Sequence, residues 1–571
     1  MDPTRKAVPT RALSAADITR NVNGKYNRRQ MLQLTARLAG AAAIGPNLLR
    51  GAVSGNVAER GLVAGNPKAA ETGNQVLRDG GNAIDAVVAA ALAAGVYVVH
   101  GCGIGGYGGH MMLALKRGKK TVAIDFNSTA PAKATPGMFP LDPDGTVQGR
   151  VNEFGWLAAG VPGTLAGLQL ALTRYGTRPF RELVAPAIRL AQDGFPITEG
   201  FARAIRATAK QLAKDEGISK LLLKDGEPLQ AGDAFRNPDL GRMLQALADS
   251  NSVEPFYRGE IARRIADAFQ KHGGLVTFDD MASYKAREVA PLQFDWHGFS
   301  VQTAPLTAGG LTVLQTLSIL KALGWDRDRL KRETHAISSH AFVESLRAVW
   351  YDRLALLGDP QHVKIPIARL LSEKHAGEVA AKVRTAVRDG KPLPFRTDTH
   401  EDAGTVHLNA ADADGNMVAL TLTHGNAFGA CVAVDGLGLI LGHGMSRFAP
   451  QPTHPNSPGP RKRPLHNMCP TIVLRDGKPL LALGATGGRM IVNAVFNIPT
   501  HFVGLGTPID DAVAAPRLHT DGNLTLTAER KWPEAETELL KNIGYTVRQG
   551  AVATAHAIVA DGDGGYRSAA R

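Results

Sequence analysis

The run 83–99 is almost wholly Ala, Val and Leu. Such a run reads as a helix with no polar face, and a helix apolar on every side has to be buried all round. A second helical stretch, 67–79, precedes it across Gly80-Gly81. Behind it comes Gly101-Cys102-Gly103-Ile104-Gly105-Gly106-Tyr107-Gly108-Gly109. Two apolar runs follow, 110–115 and 121–126, joined by Lys116-Arg117-Gly118-Lys119-Lys120, which is a hairpin signature. Residues 178–290 are charged, helix-periodic and broken by Gly and Pro, and 309–323 and 333–357 read as further long helices. After 404 the pattern changes to short β-rich runs at 406–411, 417–423, 431–434, 471–474 and 480–483. The chain is therefore helical early and strand-rich late, with no repeat of fixed period.

With 571 residues, 44% of them hydrophobic and 20% charged, the chain can bury a large core, so disorder is excluded as its main state. Cys102, Cys431 and Cys469 lie too far apart for a disulfide scaffold or a C-x-x-C motif. The formal charge of +13 suggests nucleic acid until it is divided along the chain. Residues 1–50 carry nine Lys/Arg against two Asp, and so hold +7 of it. The body mixes both signs without long like-charge blocks, which argues against a phosphate-tracking surface.

That basic head contains Asn27-Arg28-Arg29-Gln30-Met31-Leu32-Gln33, followed by a weakly apolar, Ala-rich run over 34–49. It resembles a twin-arginine export signal, which implies a periplasmic or secreted protein. A basic amphipathic helix on a cytoplasmic protein is the alternative, and Arg37 inside the apolar run fits it. No other segment is apolar for long enough to span a membrane.

Several chemistries fail on context. Gly101, Gly103 and Gly106 fit G-x-G-x-x-G, but a dinucleotide site needs a strand before and a helix after, and here the order is reversed. His335 and His340 lie five apart near Glu344, where a helical metal pair needs four, so they read as ordinary helix surface. There is no G-x-S-x-G, Walker lysine or H-E-x-x-H motif.

The strong signal is distributed. It comprises Asn66-Pro67, Gly80-Gly81-Asn82-Ala83-Ile84-Asp85-Ala86, the glycine run, Asp125-Phe126 before Thr129-Ala130-Pro131, and Gly160-Val161-Pro162-Gly163-Thr164. Later come Asp352-Arg353, Gly358-Asp359-Pro360, Thr405-Val406-His407, Asp412-Ala413-Asp414-Gly415-Asn416, Arg463-Pro464-Leu465, Pro470-Thr471-Ile472-Val473 and Gly487-Gly488. In this order they resemble the gamma-glutamyltransferase family of N-terminal nucleophile hydrolases over 61–560. The resemblance implies a four-layer α/β/β/α sandwich, no cofactor and no metal. It also implies a precursor that cuts itself at Gly404-Thr405. A large chain, 61–404, and a small chain, 405–571, would then stay together as a heterodimer, with 1–50 as leader.

Thr405 would be the nucleophile. A free α-amino group has a reference pKa of about 7.7–8.0, so near neutral pH part of it is unprotonated and can take the hydroxyl proton of its own residue. By the same resemblance Thr423 supports that hydroxyl, and the N–H groups of Gly487 and Gly488 face the oxyanion. Read alone, Thr405 would be a strand residue and the glycine pair a turn.

The substrate positions depart from the family. Asn127 stands where an arginine grips the glutamyl carboxylate, and Gly425 where an asparagine is expected. Gly444 and Arg447 replace the glutamine and acid that hold the α-amino group, and His466-Asn467 replace paired serines. A glutamyl zwitterion left without these contacts would be desolvated and unpaired, at a cost of several kcal/mol, on the order of 2–7. The expected activity is therefore cleavage of a small-molecule amide through an acyl-enzyme, the acyl group not being gamma-glutamyl. Arg447 and Arg489 are candidates to pair with a carboxylate placed elsewhere on the substrate, as in half-amides of dicarboxylic acids. Two other readings stay open: a gamma-glutamyl hydrolase or transferase acting on glutathione-like compounds, and a non-catalytic binding protein that keeps the fold.

Overall fold

The computed structural model describes residues 57–58, 61–326, 335–395, 397, 404–562 and 564–571. The proposed leader 1–50, with its Arg28-Arg29 pair, lies outside them.

Two antiparallel sheets form the centre. One has the strand order Gly61–Ala64, Val406–Asp412, Met417–Thr423, Gly108–Leu115, Lys120–Asp125 and Arg287–Val289. The other runs Val57–Ala58, Tyr566–Ala570, Thr554–Ala560, Lys478–Thr486, Thr471–Arg475, Phe299–Thr303 and Leu292–Trp296. Alternation along each strand splits the side chains between two environments. Met112, Ala114, Ala411, Met417 and Ala419 of the first sheet meet Ile472, Ala482 and Ile558 of the second. Their neighbours Met111, Leu113, Leu408, Ala410, Val418 and Leu420 point the other way, into a core shared with the helices Pro67–Arg78, Ala83–Tyr97 and Thr164–Tyr175. On the far side Val473, Leu481, Leu483, Ala555 and Ala557 pack with Gly310–Ala322, His335–Leu356 and Met490–Pro499. The result is the expected helix, sheet, sheet, helix sandwich.

Helix Ala83–Tyr97 is buried through all but its last residue, as an apolar run without a polar face must be. The amides at its N-terminus are satisfied by side chains. The Asn82 side chain accepts from Ile84 and Asp85 N–H, Asp85 returns a bond to Asn82 N–H, and Asp412 accepts from Ala83 N–H at 2.9 Å. The glycine run behind this helix leads into strand Gly108–Leu115, the reverse of a dinucleotide-binding unit.

Two regions differ from the sequence reading. His340 and Glu344 are buried, not at the helix surface, because His335–Leu356 is covered on several sides, including by helix Glu534–Ile543. Glu344 pairs with Arg347 and accepts from Tyr545 and Leu393 N–H, so it is a structural group. The end of the stretch read as helical, near 287–290, instead enters an edge strand.

Burial also decides how the fold answers pH. The rings of His110, His340, His407 and His424 are almost wholly enclosed. Loss of hydration holds His110 and His340 down at about 4, and His407 and His424 at about 3. In the unfolded chain each titrates near its ordinary value of about 6.5. The unfolded state therefore binds more protons below that value, and each such ring removes about 1.4 kcal/mol of stability per pH unit as pH falls. Stability from these rings is fully present above about pH 6.5 and is lost toward pH 4. Melting temperature followed by circular dichroism should accordingly be flat above pH 7 and fall steeply between pH 6 and 4; a flat profile through that interval contradicts the assignment.

Candidate functional site

The loop from Asp412 to Asn416 sets the register of the central hairpin. Gly415 N–H donates to Asp412 C=O, and the Asp412 carboxylate accepts from Asn416 backbone and side chain. The strands then pair Ala411 with Met417 and, at the far end, Val406 with Leu422. One step further the same register brings Thr405 opposite Thr423, whose hydroxyls lie 3.3 Å apart. The threonines thus sit at the same end of the two central strands, Thr405 before the first residue of one and Thr423 at the last residue of the other.

The carbonyl of Gly404 is the focus of this end. It accepts from the Thr405 hydroxyl at 2.6 Å and from the Thr423 hydroxyl. Thr423 Oγ1 in turn accepts from Gly425 N–H at 2.8 Å, which orients its own proton toward Gly404. Gly404 has φ +119°, and a Cβ there would lie 2.6 Å from the Gly425 carbonyl oxygen, so the residue before Thr405 has to be glycine. The glycine run supplies the adjoining wall: His424 N–H donates to Gly101 C=O, and Gly108 pairs with Thr423.

A small cleft opens at this point, with about 260 Å³ of empty space including its solvent mouth. Its lining includes Gly404, Thr405, Thr423, Gly425, Arg447, Asn467 and Gly488. Residues far apart in sequence, from Tyr107 to Ile491, thus line one cleft. Gly487 and Gly488, with φ +132° and +60°, end strand Lys478–Thr486 and lead into helix Met490–Pro499. Both precede the N-cap Arg489, and Gly488 lies on the cleft lining, whereas Gly487 does not. Arg447 closes the short helical turn Gly444–Arg447, and its guanidinium donates to His443 Nε2 at 3.2 Å. The Asn467 side chain accepts from Arg353, whose guanidinium also donates to His466 C=O at 2.7 Å. Burial, and then the charge of Arg489, lowers the Arg353 pKa to about 10, so it stays a cation at neutral pH.

The other candidates stand outside this lining. Asn127 is fully buried, and its amide donates to Thr307 Oγ1 and Pro464 C=O, each at 2.7 Å. His466 is buried 4.7 Å from the His110 ring. Gly444 packs toward Ser128 and Tyr107. Arg489 pairs with Asp521 at 3.0 Å and lies over Trp350. Tyr107, Met468 and Ile491 line the cleft without having been singled out. The first lies inside the glycine run, the second follows Asn467, and the third is three residues past Gly488. His443 carried no sequence signal at all.

The imidazoles nearest in sequence to the threonines are poor bases. His407 is enclosed between Thr421 Oγ1 at 2.8 Å and Asn409 Oδ1 at 3.0 Å, and burial keeps both it and His424 near 3. His466 is driven well below its ordinary value by burial, and then by the charges of His110, Arg353 and Arg447. A hydroxyl here needs another proton acceptor, and an α-amine at Thr405 has the suitable basicity.

Comparison with known proteins agrees with this geometry. The gamma-glutamyltranspeptidase family model matches residues 69–570. A glutathione hydrolase proenzyme of Escherichia coli (strain K12) is 36% identical over 482 residues, 81% of each chain. An acylase ACY 1 proenzyme of Pseudomonas sp. (strain SE83) is 34% identical over 496 residues, 86% of this chain and 87% of its own. The crystal structure of a cephalosporin acylase from Bacillus halodurans superposes with TM-score 0.80 at 26% identity, covering 90% of this chain and 94% of that one. With two threonine hydroxyls on one glycine carbonyl inside an αββα sandwich, and a family match across the folded body, the chain belongs to the gamma-glutamyltranspeptidase family.

Proposed function

We propose that the protein is a self-processing amidohydrolase whose nucleophile is Thr405 and whose acyl group carries a carboxylate but no α-amino group. The observation that carries the reading is the pairing, in one cleft, of the doubly hydrogen-bonded Gly404 carbonyl with the Arg447 guanidinium.

In the uncut chain Thr405 Oγ attacks the Gly404 carbonyl carbon. The Thr423 hydroxyl donates to the oxygen as it becomes an oxyanion. The C–N bond breaks, the nitrogen takes the hydroxyl proton, and water then hydrolyses the resulting ester to free the Gly404 carboxyl and the Thr405 α-amine. The released amine serves as base for the same hydroxyl in each later turnover, and the Gly487–Gly488 amides receive the oxyanion. A substrate amide passes its acyl group to Thr405 Oγ, its amine leaves with the proton, and water or another acceptor takes the acyl group.

Strand order supports a stable two-chain product. Val406–Asp412 and Met417–Thr423 lie between Gly61–Ala64 and Gly108–Leu115, and Thr471–Arg475 pairs with Phe299–Thr303. Cutting at 404–405 therefore leaves large chain 61–404 and small chain 405–571 interleaved in both sheets, as a heterodimer.

The charge at Arg447 decides between acyl groups. Two unit charges about 4 Å apart near a protein surface interact by about 4 kcal/mol, enough to favour a carboxylate or reject an ammonium by two to three orders of magnitude. Glutaryl and gamma-glutamyl anilides differ only in the ammonium, so they isolate this term. Relatives named as acylases and as glutathione hydrolases match at similar identity, and leave the choice to the cleft.

The purified protein should run as two chains under denaturing conditions and as one species in native conditions. Thr405→Ala should remain uncut, and Thr423→Val should slow cutting by about 100-fold, while Thr423→Ser retains it. Glutaryl 4-nitroanilide should be hydrolysed with at least about tenfold higher kcat/KM than its gamma-glutamyl analogue. Equal or better turnover of the glutamyl compound returns the site to the glutathione-like reading.

We also propose export by the twin-arginine route, from Arg28-Arg29 and the run behind them. Among the described residues no helix is long and apolar enough to cross a membrane. Changing both arginines to lysine should leave the protein in the cytoplasmic fraction; wild type found there with an intact N-terminus contradicts export.

A further inference from the structure

Beside the cleft, one buried ring explains two of the unusual positions at once. Gly425 has φ +98°, and a Cβ built on it would lie 1.9 Å from both Cδ2 and Nε2 of His443. The first value already disfavours most side chains. The second excludes them while the ring keeps its place. His443 is fully buried and held on several sides. Its N–H donates to His424 C=O at 3.0 Å, and Nε2 accepts the Asn426 N–H at 2.8 Å. Nδ1 lies 3.3 Å from Glu153 C=O. A backbone N–H can only donate and a carbonyl can only accept, so this ring is neutral with its proton on Nδ1. Nε2 is then an acceptor, and the Arg447 guanidinium donates to it at 3.2 Å.

We infer that His443 is the residue that sets acyl-group specificity in this cleft: its imidazole fills the space a side chain at 425 would need, and its Nε2 positions the Arg447 guanidinium. The cleft then presents a cation where a longer residue at 425 would present its own polar groups. The chemical class that fits is the amide of a dicarboxylic acid without an α-ammonium. This rests on the proposed amidohydrolase reading and names what enforces it. His443 is a positioning residue: it acts on substrate through Arg447 and through the volume it occupies. It also makes the positions interdependent, because asparagine cannot enter at 425 until the ring at 443 is removed.

The test uses the full-length enzyme and two probes, glutaryl 4-nitroanilide and the uncharged butyryl 4-nitroanilide. His443→Ala should lower the glutaryl-to-butyryl ratio of kcat/KM by at least about tenfold, mainly by raising KM for the glutaryl compound, since a hydrogen bond to a charged group is lost. His443→Gln, which keeps an acceptor, should recover most of the ratio. Gly425→Asn should lower the melting temperature, and adding His443→Ala should restore much of the loss; asparagine is chosen because it tolerates positive φ. A ratio within about twofold of wild type in His443→Ala, or an equal Gly425→Asn loss with and without the ring, overturns the inference. Should wild type show no preference for the glutaryl probe, the anionic-acyl reading fails on its own, and the Gly425–His443 stability cycle still decides whether the ring excludes a residue-425 side chain.

Discussion

The register of the hairpin formed by Val406–Asp412 and Met417–Thr423 is the constraint on which the site depends. Ladder bonds fix it, the Asp412–Asn416 loop pins it at one end, and a slip by one residue would turn every side chain to the opposite face. His407 and Asn409 would then face helices instead of the inter-sheet space, where they bond to each other and where Asn409 reaches His556 C=O. With the register held, Thr405 and Thr423 meet without any loop having to find them. The same Asp412 accepts from Ala83 N–H at the start of the buried helix, so the turn that aligns the threonines also anchors that layer.

Around this backbone frame the electrostatics are one-sided. Buried imidazoles are kept neutral by lost hydration, while Arg447 stands on the cleft, Arg353 behind Asn467, and Arg489 beside Asp521. Of the three arginines only Arg447 lines the cleft; Arg489 is paired with Asp521, and Arg353 donates to His466 C=O and Asn467.

Much of this was legible from the chain. The all-apolar run could only be a buried helix, and the Lys116–Lys120 turn between two apolar runs announced the hairpin of Gly108–Leu115 with Lys120–Asp125. Thr405, Thr423 and the glycine pair were visible only through the ordered set of motifs, because a threonine in a strand and glycines in a turn are ordinary. Asn127 and His466, read as pocket positions, prove to be buried beside it, since matching positions in sequence says nothing about which way a side chain is packed. His443 was invisible for a related reason. Its meaning lies in a contact with Gly425 across 18 positions, and no periodicity or spacing encodes the space left by a missing Cβ. Strand Arg287–Val289 escaped because a short edge strand at the end of a long helical tract carries little pattern of its own.

The claim at the centre is that the hydroxyl of Thr405, beside its own freed amine, receives the acyl group. Rapid quenching of the processed enzyme with glutaryl 4-nitroanilide, followed by intact-mass and peptide mass spectrometry of the small chain, addresses it directly. The account predicts a glutaryl adduct on the peptide that begins at Thr405, appearing with the first burst of nitroaniline and decaying at the steady-state rate. A glutaryl adduct on another residue, or steady turnover with the Thr405 hydroxyl shown to be dispensable, would contradict it.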